Sequence, residues 1–146
     1  MDVFKDFKFE MAHRLPNHNG LCKNIHGHSY KVTLAFEGLV KYSEGGSDEG
    51  MVVDFCEVKE IAEPIFKERL DHSIMLSRAH DQDIIALLKT KGMRVNDVDY
   101  IPTCENLALE IFKELEPHFK IKNIVLKAVT VWETATAGAT YSMTLK

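Results

Sequence analysis

The run Cys22-Lys23-Asn24-Ile25-His26-Gly27-His28 holds three side chains able to bind a metal or to attack. Histidines at i and i+2 on an extended chain project to the same side, about 7 Å apart at the usual strand rise. Imidazoles at that spacing can meet on one ion. His13 lies on the apolar face of the preceding extended stretch, with Phe7, Phe9 and Met11. If the two stretches pair as a hairpin, three imidazoles converge. Three neutral nitrogens suit zinc and leave a fourth position for water or substrate, which is the arrangement of a catalytic site rather than a structural one. The competing reading is three packed core histidines; matching faces for all three, with a cysteine alongside, favour the metal. Cys22 is either a fourth ligand or a reactive thiolate acting as nucleophile or base. Its spacing leaves both open.

Glu133 shares a strand face with Val129 and Val131. A carboxylate facing an apolar surface is costly unless something bonds it. A 2-amino-4-oxo pyrimidine edge would offer it two parallel donors; a solvated strand-end glutamate is the alternative. Glu105 falls in a helical first turn, where it complements the helix dipole. Asp71 and His72 are adjacent, and adjacent residues seldom face the same way, so a bonded pair is not assumed. Cys56 and Cys104 read as packing residues; His18, His80 and His118 read as surface residues. Lys23, Lys31 and Lys127 are candidates to face a phosphate, without a basis for choosing among them.

The elements that must position these groups follow from periodicity. Alternation over 3–13 and again from His26 to Glu37 predicts two strands, separated by a Pro/Gly/Asn-rich loop over 14–25. SEGGSDEG (43–50) reads as a turn. Over 54–70 the period changes, with Phe55, Val58, Ile61, Ala62, Ile65 and Phe66 on one helical face and Asp54 as N-cap. Pro64 should kink that helix or shift its start. Over 79–101 a short helix ended by Gly92 is expected, then an extended piece. Thr103 caps a further helix with the stripe Leu107, Ala108, Ile111, Phe112 and Leu115, which Pro117 should stop. Strands return over 124–134 and 139–145, joined by a turn containing Gly138. The order strand, strand, helix, helix, strand, strand predicts one α+β domain over 1–146, an antiparallel sheet with helices on one face.

A formal charge of −4 gives no reason to expect a nucleic-acid partner. Three widely spaced cysteines without a Cys-x-x-Cys pair argue against a disulfide framework and for a reducing compartment. The opening MDVFKDFKFE lacks a signal-peptide core, and no apolar run approaches a membrane span. A cytoplasmic protein is the expectation. Four strands would leave two open edges, which a partner copy can close.

Six blocks in order, FKFEMAHRL, CKNIHGHSYKV, MVVDFCEVK, RLDHSIML, PTCENLA and VWETATAG, resemble the 6-pyruvoyl-tetrahydropterin synthase family. Three residues between Cys22 and His26 resemble its bacterial 6-carboxytetrahydropterin synthases of queuosine biosynthesis. The resemblance implies the tunnelling fold, with three subunits closing a twelve-stranded barrel and two trimers stacked as a homohexamer. It implies zinc on His13, His26 and His28, and a proton-transfer set of Cys22, Asp71 and His72, the Asp-His part coming from a neighbouring subunit. Glu133 would anchor the pterin ring, with Glu105 nearby. The implied reaction turns 7,8-dihydroneopterin triphosphate into 6-carboxytetrahydropterin, acetaldehyde and triphosphate. The rival readings are the pyruvoyl-type product, without carbon–carbon cleavage, and a zinc- or pterin-binding module without turnover. Trp132 and a longer stretch at 77–101 depart from the family pattern.

Overall fold

The computed structural model describes residues 1–143. Its centre is a long hairpin, β1 (Asp2–His13) and β2 (His26–Glu37), paired antiparallel along its whole length, with His13 opposite His26, Met11 opposite His28 and Phe9 opposite Tyr30. Directly opposed residues share a face. Period two therefore puts Phe9, Met11 and His13 on one side with His26, His28 and Tyr30. After β2 come α1 (Phe55–Glu63), β3 (Ser73–Ser77), α2 (Gln82–Thr90), β4 (Val95–Val98), α3 (Cys104–Ile121), β5 (Val125–Trp132) and β6 (Gly138–Ser142).

The sheet has the order β4-β3-β1-β2-β5-β6 and is mixed. This corrects the expected antiparallel sheet. The pairs β1–β2, β2–β5 and β5–β6 are antiparallel as predicted, but β3 runs parallel to β1, and β4 parallel to β3. β3 was missed because all five of its residues are buried, which erases alternation. It pairs with β1 only over Met11–His13, so the histidine-bearing end of β1 is held from both sides.

Three further expectations fail on physical grounds. Helices were to lie on one face. α1 and α3 do, with Val58, Ala62, Leu107, Ile111 and Leu115 packed in one core with Val32, Leu34 and Val129. The other face of β3, Ile74 and Leu76, forms a second, smaller core with Ile85 of α2. Pro117 was to stop α3, yet the helix runs to Ile121. Pro117 is exposed while Leu115 and Phe119 on either side are buried, so packing of that stripe outweighs the lost hydrogen bond. Gly138 opens β6 instead of sitting in the turn; a Cβ there would lie 2.5 Å from the Val131 carbonyl oxygen, so glycine is required. Thr144 and Leu145, at the end of the predicted last strand, lie outside the described residues.

Asp54 caps α1 as expected, accepting from the Cys56 amide at 2.7 Å. At Pro64 the chain passes into a π-helical stretch, Pro64–Leu70, closed by the Asp71 amide donating to Phe66 at 2.9 Å. That wide turn delivers Asp71 and His72 beside the hairpin. No helix among the described residues is long and apolar enough to cross a membrane.

Candidate metal centre

The hairpin register brings the three histidines together. Ring centroids lie 4.6 Å apart for His13 and His26, 5.2 Å for His13 and His28, and 5.0 Å for His26 and His28. One ligand nitrogen from each falls within 4.8 Å of the other two. The hydrogen bonds set the tautomers. His13 Nδ1 lies 2.7 Å from the Pro102 carbonyl oxygen, and His26 Nδ1 lies 2.8 Å from that of Asn24. A carbonyl only accepts, so each Nδ1 carries the proton and each Nε2 keeps its lone pair. Burial pushes the His13 pKa down, against the Pro102 bond and the Glu133 charge, which push it up. The neutral, ligating form is favoured.

His13 Nε2 is buried and makes no hydrogen bond. Glu133 Oε1 lies 3.4 Å away, outside hydrogen-bonding geometry. A buried nitrogen lone pair left without a partner calls for an explanation. A divalent ion bound between three imidazoles supplies one, so this donor set fits zinc. The second ring nitrogens of His13 and His26 are held by main-chain carbonyls, as in metal sites whose ligands are oriented from behind.

The other expected residues fall into two groups. Glu133 follows β5 and turns inward, where it accepts from the Tyr30 hydroxyl at 3.2 Å. Cys22 is half-buried in a 3-10 turn, Leu21–Lys23, in the loop joining His13 to His26. Glu105 lies in the first turn of α3 beside Cys104, exposed, its carboxyl lowered by its own backbone amide and the Thr103 hydroxyl.

Asp71 and His72 form the second group, and they do bond. His72 Nδ1 lies 3.1 Å from Asp71 Oδ2. His72 adopts φ 55, a left-handed conformation, which removes the alternation that would have separated the pair. Asp71 Oδ1 also accepts from the Glu10 amide at 2.9 Å, and this bond, then His72, holds its carboxyl below the ordinary range. Among the described residues, no hydrogen bond or ion pair links this pair to the three histidines. His72 is exposed and lines an open cleft beside the hairpin with Glu10, Gly27, His28 and Ser29.

Two contributors were given no role in the sequence reading. Tyr30 continues the His26, His28 alternation, so its place on the metal face was readable. Pro102 acts through its main chain and leaves no sequence signal. Cys104, expected to pack, is half-buried against the main core, and burial, then Glu105 and Glu133, push its thiol up to about 11. Cys56, expected to pack, is exposed. His18, His80 and His118 are exposed, as expected.

The fold and the site together define a class: an α+β domain whose central hairpin presents an open three-histidine centre. A family model described as 6-pyruvoyl tetrahydropterin synthase matches residues 2–144, and the chain belongs to that family. It is 30% identical over 141 residues to the 6-carboxy-5,6,7,8-tetrahydropterin synthase of Haemophilus influenzae, covering 95% of this chain and 96% of that one. It is 35% identical to the Synechocystis protein of the same name, covering 95% and 91%. An uncharacterized protein from Wolinella succinogenes shares the fold at TM-score 0.81 and 18% identity, over 97% of both chains. The 6-pyruvoyl tetrahydropterin synthase of Caenorhabditis elegans does so at 0.71 and 24%, over 99% of this chain and 96% of that one.

Proposed function

We propose that this chain, acting as one domain, is a zinc enzyme of the 6-carboxytetrahydropterin synthase type. It converts 7,8-dihydroneopterin triphosphate to 6-carboxy-5,6,7,8-tetrahydropterin, acetaldehyde and triphosphate, within queuosine biosynthesis. The observation that carries the reading is the buried, unpartnered His13 Nε2 facing two further imidazoles. The carboxy-type product is supported by the names of relatives aligned over nearly the whole chain.

His13, His26 and His28 would hold the zinc. When bound, the ion supplies Lewis acidity that lowers the pKa of a ligated hydroxyl. Glu133, steadied by the Tyr30 hydroxyl, would accept the amino and ring N–H donors of the pterin, with Glu105 at the same end. Cys22 would take a proton from the substrate side chain as thiolate. His72, oriented by Asp71, would shuttle a proton at a side-chain hydroxyl.

The exposed His72 supports a site shared between copies. Among the described residues no strand covers the outer edge of β1 from Asp2 to Phe9, and β6 ends the sheet. Pairing such edges would close three copies into a barrel, with two trimers forming the hexamer.

The test is incubation with dihydroneopterin triphosphate followed by mass analysis of products. Acetaldehyde with the 6-carboxy pterin supports the proposal. Triphosphate release without acetaldehyde would make this a pyruvoyl-type enzyme, a reading the family description keeps in view. Binding without turnover would leave only a pterin- or metal-binding module.

A further inference from the structure

Asp81 is the most deeply buried carboxylate among the described residues, with none of its surface exposed. It stands at the entrance to α2, in the 77–101 stretch that departs from the family pattern. Its Oδ2 accepts from the Ser77 amide at 3.0 Å. Its Oδ1 lies 3.1 Å from Arg14 Nη1, in a contact that leaves Oδ1 and Arg14 Nε without a hydrogen bond. A buried charge persists only when something compensates it, and among the described residues Arg14 is the one cation within ion-pair distance.

Arg14 directly follows His13. The next residue, Leu15, donates its amide to the Cys22 carbonyl at 2.8 Å and accepts from the His18 amide at 3.0 Å. A short covalent and hydrogen-bonded path thus runs from Asp81 to Arg14, through Leu15, to the main chain of Cys22. Residues on a loop need such support to hold a reactive group in place. Salt bridging from a separate element supplies it here, because the Cys22 turn buries no residue of its own.

We propose that Asp81 and Arg14 are positioning residues for Cys22: the ion pair clamps the base of the Cys22 loop and fixes where the thiol stands relative to the three histidines. This rests on the proposed role of Cys22, but not on the identity of the substrate. The 77–101 segment thereby acts on the chemistry without touching the reactants.

The test compares zinc-loaded wild type with Asp81→Asn and Arg14→Lys in the native assembly. Iodoacetamide labelling of each cysteine is followed by peptide mass, alongside zinc content, kcat and KM for dihydroneopterin triphosphate. In Asp81→Asn, zinc content holds, the Cys22 labelling rate shifts about fivefold or more while Cys56 and Cys104 label as before, and kcat falls about 10–100-fold at little-changed KM, the scale of a small misplacement. Arg14→Lys keeps the charge pair and recovers most of the wild-type labelling rate. The double variant Arg14→Met/Asp81→Leu, which strands no buried charge, carries the same expectation if Asp81→Asn does not fold. Unchanged Cys22 labelling in the folded variant, even with a lower melting temperature, overturns the proposal. Labelling needs no substrate, so it separates failure of the clamp from failure of the proposed reaction.

Discussion

At the scale of single residues, the roles proposed for the three imidazoles and the thiol can be measured apart. His26→Ala and His28→Ala should each lose zinc and activity together, because two nitrogens seldom hold the ion against water; full zinc occupancy in the double variant would refute the centre. Cys22→Ala should keep its zinc and bind substrate, yet lose about 10²–10⁴-fold in turnover, the usual scale for a missing acid–base group. Zinc loss in step with activity would make Cys22 a ligand instead. Asp71 has a depressed folded pKa, so its contribution to stability is present above its unfolded value of about 4 and is lost as pH falls through the lower folded value. The melting-temperature gap between wild type and Asp71→Asn should therefore narrow on acidification below about pH 4; a gap that stays constant would contradict it. The shared face of the histidines was legible because period two is a property of sequence, and the observed hairpin register supplied the pairing that the reading had made its condition. The Asp71–His72 bond was not, because it depends on a left-handed backbone at His72 that the residue type does not announce.

At the scale of elements, alternation revealed the strands that have one solvated face and concealed those that do not. β1 and β2 alternate cleanly and were found; Ser73–Ser77 is buried throughout and was not. α3 shows the limit of local rules. Leu115 and Phe119 are fully buried, and their stripe carries the helix past Pro117. Leu115→Ala should cost about 2–5 kcal/mol by denaturant unfolding. Pro117→Ala should do the reverse, raising stability by about 1–3 kcal/mol at this exposed position, since it restores a main-chain donor. A loss of stability would mean the proline is favoured through some other constraint. The π-helical stretch, Pro64–Leu70, is the second place where a local rule gave only half the answer: a break at Pro64 was readable, but the wider turn that delivers Asp71 was not.

At the scale of the whole molecule, the open edges of β1 and β6 and the exposed His72, bonded to a half-buried Asp71, are what the proposed assembly would cover. Light scattering at micromolar concentration should report a hexamer; a stable monomer would remove the shared site as well. The fold of one copy was largely readable, whereas the small core under α2 was not, because it belongs to a β3 face that the sequence conceals. One residue's backbone also bears on how this molecule can change over generations. A histidine at φ 55 sits where glycine rests more easily, a strain of about 1 kcal/mol or more. A mutant library selected only for surviving heat would drift toward glycine at position 72, discarding the imidazole for a more comfortable chain. A library selected for turnover would keep the histidine and the strain with it, so the two selections would part at this codon.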